Sequence, residues 1–280
     1  TRRTVSGTPA VSSKGQGALM DIVPAPDFAA SKLLYFSYSE AGQGAGSRVV
    51  LATAILDQAG GALKDARAIF RSQDASTGGH YSGRIGFSPD GKYLFFTSGD
   101  RQLLDPAQDP GSTLGKVLRL NLDGTPAAGN PLAARGFHAA VWSYGHRNLL
   151  GIAFDRQGRL WEMEMGPRHG DEINLIKPGL NYGWPKASNG SHYDGRDIPD
   201  HAPGAGRMDR IRAVAGGDVR GDFAGRDGHT RRRLGPVALA LDARRPRLAG
   251  TALLSRHAAC RSEARHAGLR HHGHLYQQIL

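Results

Sequence analysis

A histidine set among glycines, Gly78-Gly79-His80-Tyr81-Ser82-Gly83-Arg84, stands just ahead of an apolar run. Flanked by glycines, the imidazole is accessible and titrates near neutrality, so His80 reads as a general base; the plainer reading is a surface or hydrogen-bonded histidine. In Ser143-Tyr144-Gly145-His146-Arg147-Asn148 the glycine admits close backbone approach. Arg147 and Asn148 then offer donors to an anionic or carbonyl-rich ligand. An arginine paired to a surface acid would look the same. The densest stretch is Met163-Glu164-Met165-Gly166-Pro167-Arg168-His169-Gly170-Asp171-Glu172. Gly166-Pro167 after a strand forces a turn and exposes carbonyls, and carbonyls beside carboxylates suit hard Ca²⁺. Asp171 and Glu172 read either as ligands of a second ion or as solvated acids of a polar turn, since EF-hand spacing is absent. Gly15-Gln16-Gly17 presents an amide between glycines, a weak signal alone.

Other chemistries find little support. The sequence has no GxSxG elbow, no P-loop and no HExxH motif. Cys260 is the single cysteine, so no internal disulfide forms and its neighbours make no ligand pattern. His271-His272-Gly273-His274 suits adventitious metal capture only. The net charge of +11 raises nucleic-acid binding, but its distribution argues against that reading. Residues 201–280 hold 15 Arg, no Lys and 6 acids, whereas residues 1–200 hold 21 basic and 19 acidic residues. No apolar stretch is long enough for a transmembrane helix. The N-terminus, Thr1-Arg2-Arg3-Thr4, lacks the apolar core of a signal peptide, so a leader already removed or a longer precursor is expected.

The elements that must position these residues read as strands and turns from about residue 15 to 206. Leu33–Tyr38, Val49–Ala54 and Ala68–Phe70 are strand candidates by alternation and by β-branched or aromatic content. Asp90-Gly91 and Gln157-Gly158 mark two-residue hairpin turns in segments that begin at Phe87 and Phe154. A weaker copy runs from Val23 into Leu33-Leu34-Tyr35. That spacing suits one four-stranded blade, so the chain supplies about three blades of a β-propeller; an irregular sandwich is the alternative. Residues 207–280 change to an Arg/His/Gly-rich text with Phe223 and Tyr276 as the only aromatics. They read as an atypical basic tail, disordered or translated from a shifted frame.

Taken together, these stretches resemble the pyrroloquinoline-quinone (PQQ)-dependent soluble aldose and glucose dehydrogenases. The resemblance runs from about Gly15 to Gly206 on Gly15-Gln16-Gly17, Gly78-Gly79-His80, Gly115-Lys116-Val117-Leu118-Arg119-Leu120-Asn121, Gly145-His146-Arg147-Asn148, Gly166-Pro167, Asp171-Glu172-Ile173-Asn174 and Asn181-Tyr182-Gly183-Trp184-Pro185. Each is weak alone; their occurrence in this order is specific.

The resemblance implies an all-β, six-bladed propeller with PQQ over the central channel, here incomplete. His80 matches the base that takes the proton from the sugar C1 hydroxyl while hydride passes to the quinone, giving a lactone. Arg147 and Asn148 match PQQ contacts, Arg147 also stabilising charge on the quinone oxygen. The carbonyls of Gly166 and Pro167 match the holders of Ca²⁺, and Gln16 matches a sugar contact. Asp171, Glu172 and Tyr182 match positions near a second Ca²⁺. The implied partners are an aldose and an external electron acceptor, with a homodimer compatible and the location periplasmic or secreted. Gly79 favours the aldose-type branch, because the glucose-type branch has an acid there. Leu149-Leu150 also departs from the family pattern. No residue of 207–280 matches the family's later quinone contacts, so a non-catalytic binding module or an inactive fragment is the alternative.

Overall fold

Twelve strands account for nearly all the regular structure in the computed structural model, which describes residues 4–201 and the backbone of 210–212. They form three four-stranded antiparallel sheets, each a meander of consecutive neighbours. The first contains β1 (Leu19–Pro24), β2 (Leu33–Ala41), β3 (Ser47–Asp57) and β4 (Ala62–Arg71). The second contains β5 (Ser82–Phe87), β6 (Tyr93–Ser98), β7 (Lys116–Asn121) and β8 (Val141–Tyr144). The third contains β9 (Leu149–Phe154), β10 (Leu160–Glu164), β11 (Glu172–Ile176) and β12 (Arg210–Arg212). Strand β5 packs against both β1 and β9, so the first strands of successive sheets are neighbours. Successive four-stranded meanders set side by side are propeller blades.

The strands expected from sequence fall within β2, β3 and β4. The repeated segments are the first hairpins of the three sheets. β12 lies beyond the expected boundary at residue 206 and pairs with β11 from Asn174↔Arg210 to Glu172↔Arg212. Residues 213–280, which carry the rest of the expected tail together with Cys260 and the 271–274 histidines, lie outside the described residues.

The expected two-residue turns are longer. Ser88 to Lys92 join β5 to β6, and Asp155 to Arg159 join β9 to β10. In the first, Gly91 at φ +70° donates its N–H to Ser88 O at 2.8 Å, and Tyr93 N–H bonds Ser88 Oγ at 3.0 Å. Pro89 fixes the first corner and the glycine supplies the left-handed one. Gly158, at φ +74°, repeats the role with Asp155 O.

Packing explains why alternation is faint in the middle sheet. Leu94 and Phe96 of β6 and Leu118 and Leu120 of β7 join Tyr35, Val49 and Leu51 of the first sheet in one core. The intervening Phe95 and Val117 turn to the other side and meet Leu149, Leu160 and Ile176 of the third sheet. A sheet covered on both faces has no solvent side to carry polar residues. Each such buried side chain contributes about 1.5–3 kcal/mol.

The meander also fixes where the chemistry sits. The starts of β1, β3, β5, β7, β9 and β11 share one end of the sheets with the ends of the strands paired to them. Gln16, His80, Arg147, Asn148 and Gly166 all belong to connections at that end.

Candidate active site

His80 precedes β5 with φ at +46°, a conformation uncommon outside glycine. Its N–H donates to Gln16 Oε1 at 3.0 Å, and Gln16 N–H in turn bonds Gly78 O at 2.7 Å. The histidine is not the accessible group expected: only 6% of its surface is exposed. Its Nδ1 lies 2.6 Å from Asp100 Oδ1. Asp100 is fully buried and had no role in the sequence reading. It also accepts from Trp184 Nε1 at 2.7 Å and from Gln102 N–H at 2.9 Å, and its own N–H donates to Arg147 O at 2.8 Å.

Asp100 therefore ties His80 to Arg147, by its carboxylate to the one and by its backbone N–H to the other. Arg147 is 4% exposed. Its N–H donates to Glu164 Oε2 at 2.7 Å, and its Nη1 donates to Met165 O and Gly166 O at 2.9 and 2.7 Å. The guanidinium lies near the rings of Trp184 and Tyr193, at 5.3 and 5.7 Å to their centroids. Its Nε has no hydrogen-bond partner, and no described carboxylate forms an ion pair with it. A buried cation without a counter-charge is costly unless an anion completes it. Asn148 joins the group through Ser82, whose Oγ lies 3.4 Å from Asn148 Oδ1 and accepts Leu149 N–H at 2.9 Å.

The second connection rests on a fully buried lysine. Lys116 Nζ donates to the carbonyls of Pro106, Ala107 and Leu114 at 2.6, 3.1 and 2.7 Å. Ala107 O and Gly115 O then accept from Gly145 and His146, so Lys116 braces the loop that delivers Arg147. The approach at His80 is equally close. A Cβ at Gly99 would collide with His80 O and lie 2.9 Å from Ser82 Oγ. Gly99→Ala is therefore expected to destabilise the chain by about 1–3 kcal/mol, measured by denaturant unfolding.

The residues expected around Ca²⁺ fall into two situations. Gly166 O accepts from Arg147 and keeps a second lone pair, while Gly166 N–H donates to Asp171 Oδ1 at 3.0 Å. Glu172 is 6% exposed and meets Asn174 and Asn189 Nδ2, each at 3.2 Å, and His201 Nε2 at 3.4 Å. The Tyr182 phenol is occupied: it donates to Leu175 O at 2.6 Å and accepts Lys177 N–H at 2.9 Å. A cleft lined by Arg147, Gly166, Pro167, Glu172 and Trp184 brings these groups together.

The glucose/sorbosone dehydrogenase family model matches residues 1–214. The aldose sugar dehydrogenase YliI of Escherichia coli is 42% identical over 200 residues, covering 70% of this chain and 53% of the relative. Its soluble aldose sugar dehydrogenase, solved in the apo form, superposes with a TM-score of 0.68 at 40% identity, covering 71% of this chain and 58% of that one. The PQQ-bound aldose sugar dehydrogenase of Streptomyces coelicolor gives a TM-score of 0.58 at 36% identity, covering 69% of this chain and 56% of that one. The chain spans about half the length of the curated relatives it matches. With its three blade-like sheets and this ordered set of loops, the chain belongs to the glucose/sorbosone dehydrogenase family.

Proposed function

We propose that this chain carries the substrate- and quinone-facing side of a PQQ-dependent aldose dehydrogenase that oxidises a sugar at C1 to the lactone. One observation carries the reading. A nearly closed imidazole is held on the buried carboxylate of Asp100, and the backbone N–H of the same residue holds the carbonyl of a buried arginine with no counter-charge.

Asp100 is surrounded by donors, so it acts as an acceptor and His80 Nδ1 carries the hydrogen between them. Nε2 is left with its lone pair and has no hydrogen-bond partner among the described residues. It is the atom to take the proton from the C1 hydroxyl. Gln16 spends its carbonyl oxygen on His80 N–H, which leaves its amide nitrogen for a sugar oxygen. Arg147 and Asn148 suit an anionic, carbonyl-rich cofactor, and the spare Nε–H of Arg147 is a donor awaiting one. When bound, PQQ supplies the two-electron acceptor for the C1 hydrogen, and an external acceptor takes the electrons onward.

For Ca²⁺, the carbonyls of Gly166 and Pro167 are the oxygen donors beside Arg147, and Asp171, Glu172 and the Tyr182 carbonyl are those of a second ion. The same reading carries a periplasmic or secreted location. No helix among the described residues is long and apolar enough to cross a membrane.

The purified chain, given PQQ and Ca²⁺, is expected to oxidise an aldose with an artificial dye as acceptor. PQQ is expected to quench Trp184, which lies beside Arg147. Arg147→Lys loses the fork of donors and should weaken PQQ binding by about 10–100-fold. Absence of quenching with and without Ca²⁺ would sink the proposal for this chain.

A further inference from the structure

His146, next in the chain to Arg147, is fully buried and takes no part in the chemistry above. Its ring stacks on Tyr182 at 4.6 Å, and its Nε2 shares a 2.9 Å hydrogen bond with Ser143 Oγ. The other ring nitrogen, Nδ1, has no hydrogen-bond partner. It faces two carboxylates of β10, at 3.6 Å from Glu164 Oε1 and 3.8 Å from Glu162 Oε1. Two residues apart on a strand, these glutamates project from one face, Glu162 2% and Glu164 5% exposed.

The separations decide between two accounts of the cluster. A protonated imidazole would draw a carboxylate oxygen to about 2.7–2.9 Å, the length of a charge-assisted bond, and neither contact comes near it. Two atoms bound to one ion at about 2.0–2.2 Å in tetrahedral geometry stand about 3.4 Å apart, close to the observed spacing. The nitrogen and the two oxygens all lie within 4.8 Å of one another. Asn174 adds an independent sign. Its Nδ2 has two hydrogens yet lies 2.7 Å from Glu162 Oε1, 3.0 Å from Glu164 Oε1 and 3.2 Å from Glu172 Oε2, while its buried Oδ1 has no partner. An amide that gathers carboxylates in this way orients them as ligands.

We propose that His146 Nδ1, Glu162 and Glu164 hold a divalent first-row transition-metal ion of the Mn²⁺ or Zn²⁺ class. An imidazole nitrogen with two carboxylates in a closed site suits these ions. Ca²⁺ takes six to eight oxygens and has too few here. The ion is structural. Glu164 Oε2 accepts Arg147 N–H at 2.7 Å, so metal held by Glu164 fixes the backbone that presents Arg147. The site does not depend on the quinone reading, and it borders the Glu172 and Tyr182 positions through Asn174 and the ring stack.

The test uses the full chain with His271, His272 and His274 changed to alanine, so that tail histidines capture no metal. After dialysis against EDTA, titration with MnCl₂ in excess CaCl₂, which keeps the all-oxygen positions filled, and gel filtration, elemental analysis is expected to find one Mn²⁺ per chain. Glu162→Gln should raise the Mn²⁺ dissociation constant by more than about 100-fold and remove the metal-dependent rise in melting temperature, whereas Asp171→Asn should keep both. If Glu162→Gln does not fold, spin-echo spectra of bound Mn²⁺ in the parent chain decide the matter. Imidazole nitrogen modulation supports the site, and its absence overturns it. No retained ion, an ion retained in Glu162→Gln, or one lost in Asp171→Asn also overturns it.

Discussion

His80→Ala is expected to bind PQQ as the parent does and to lose aldose turnover by about 10²–10⁴-fold, the range attributable to a positioned base. Nε2 is the only atom of His80 left for a substrate, because Nδ1 is committed to Asp100. Removal of the ring takes nothing from the side chains of Arg147 or Asn148, whose hydrogen bonds are to Met165, Gly166, Tyr193 and Ser82. Binding and turnover should therefore separate. Asp100→Asn sharpens the argument. All three neighbours of the Asp100 carboxylate, His80 Nδ1, Trp184 Nε1 and Gln102 N–H, approach it as donors. An amide would set its NH₂ against one of them. Where that neighbour is His80, the ring changes tautomer and Nε2 gains the hydrogen, so a base is lost while the ring stays. Turnover should fall with KM for the sugar little changed, measured with saturating PQQ. Parent-like turnover in His80→Ala, or PQQ binding lost together with turnover, would remove the imidazole from the role.

Much of this arrangement was legible in the sequence because it is local. The strand at Leu33–Tyr38, the repeat of first hairpins and the glycine-flanked His80 each depend on residues a few positions apart. What was hidden depends on distance. Asp100 follows an apolar strand and looks like a turn acid; its meaning comes from Trp184, 84 positions later. The exposure of His80 was misjudged for the same reason, since Gln16 and Asp100 hold it from separate connections. The Tyr182 motif was seen, but not that its phenol closes a backbone turn on Leu175 and Lys177. Asp90-Gly91 signalled a turn correctly, while its length was set by Pro89 and by Ser88 capping Tyr93. In a propeller the site is assembled from the ends of several sheets, so sequence motifs give its parts, and the meander that carries each loop to one end gives their order.

The bracing beneath Arg147 is open to a test that needs no cofactor. Lys116→Met is expected to destabilise the chain by about 3–5 kcal/mol at pH 7. The loss comes from what stays behind. Three carbonyls, of Pro106, Ala107 and Leu114, would keep their burial and lose their donor. Burial pulls the Lys116 ammonium down from its ordinary value to about 7, because the charged form has given up water. The three carbonyls offset part of that cost, since only the ammonium has a hydrogen for each. Between about 7 and the ordinary lysine value near 10.4 the unfolded chain binds more protons at this position than the folded chain. Lys116 thus contributes stability that grows as pH rises through that window. Denaturant unfolding from pH 7 to 10 should show a rise in the parent relative to Lys116→Met. The variant's deficit should widen with pH, and equal slopes in the two chains would mean that the buried amine does not titrate there. Because Ala107 O and Gly115 O hold Gly145 and His146, the same substitution should loosen PQQ binding through Arg147 even where the variant remains folded.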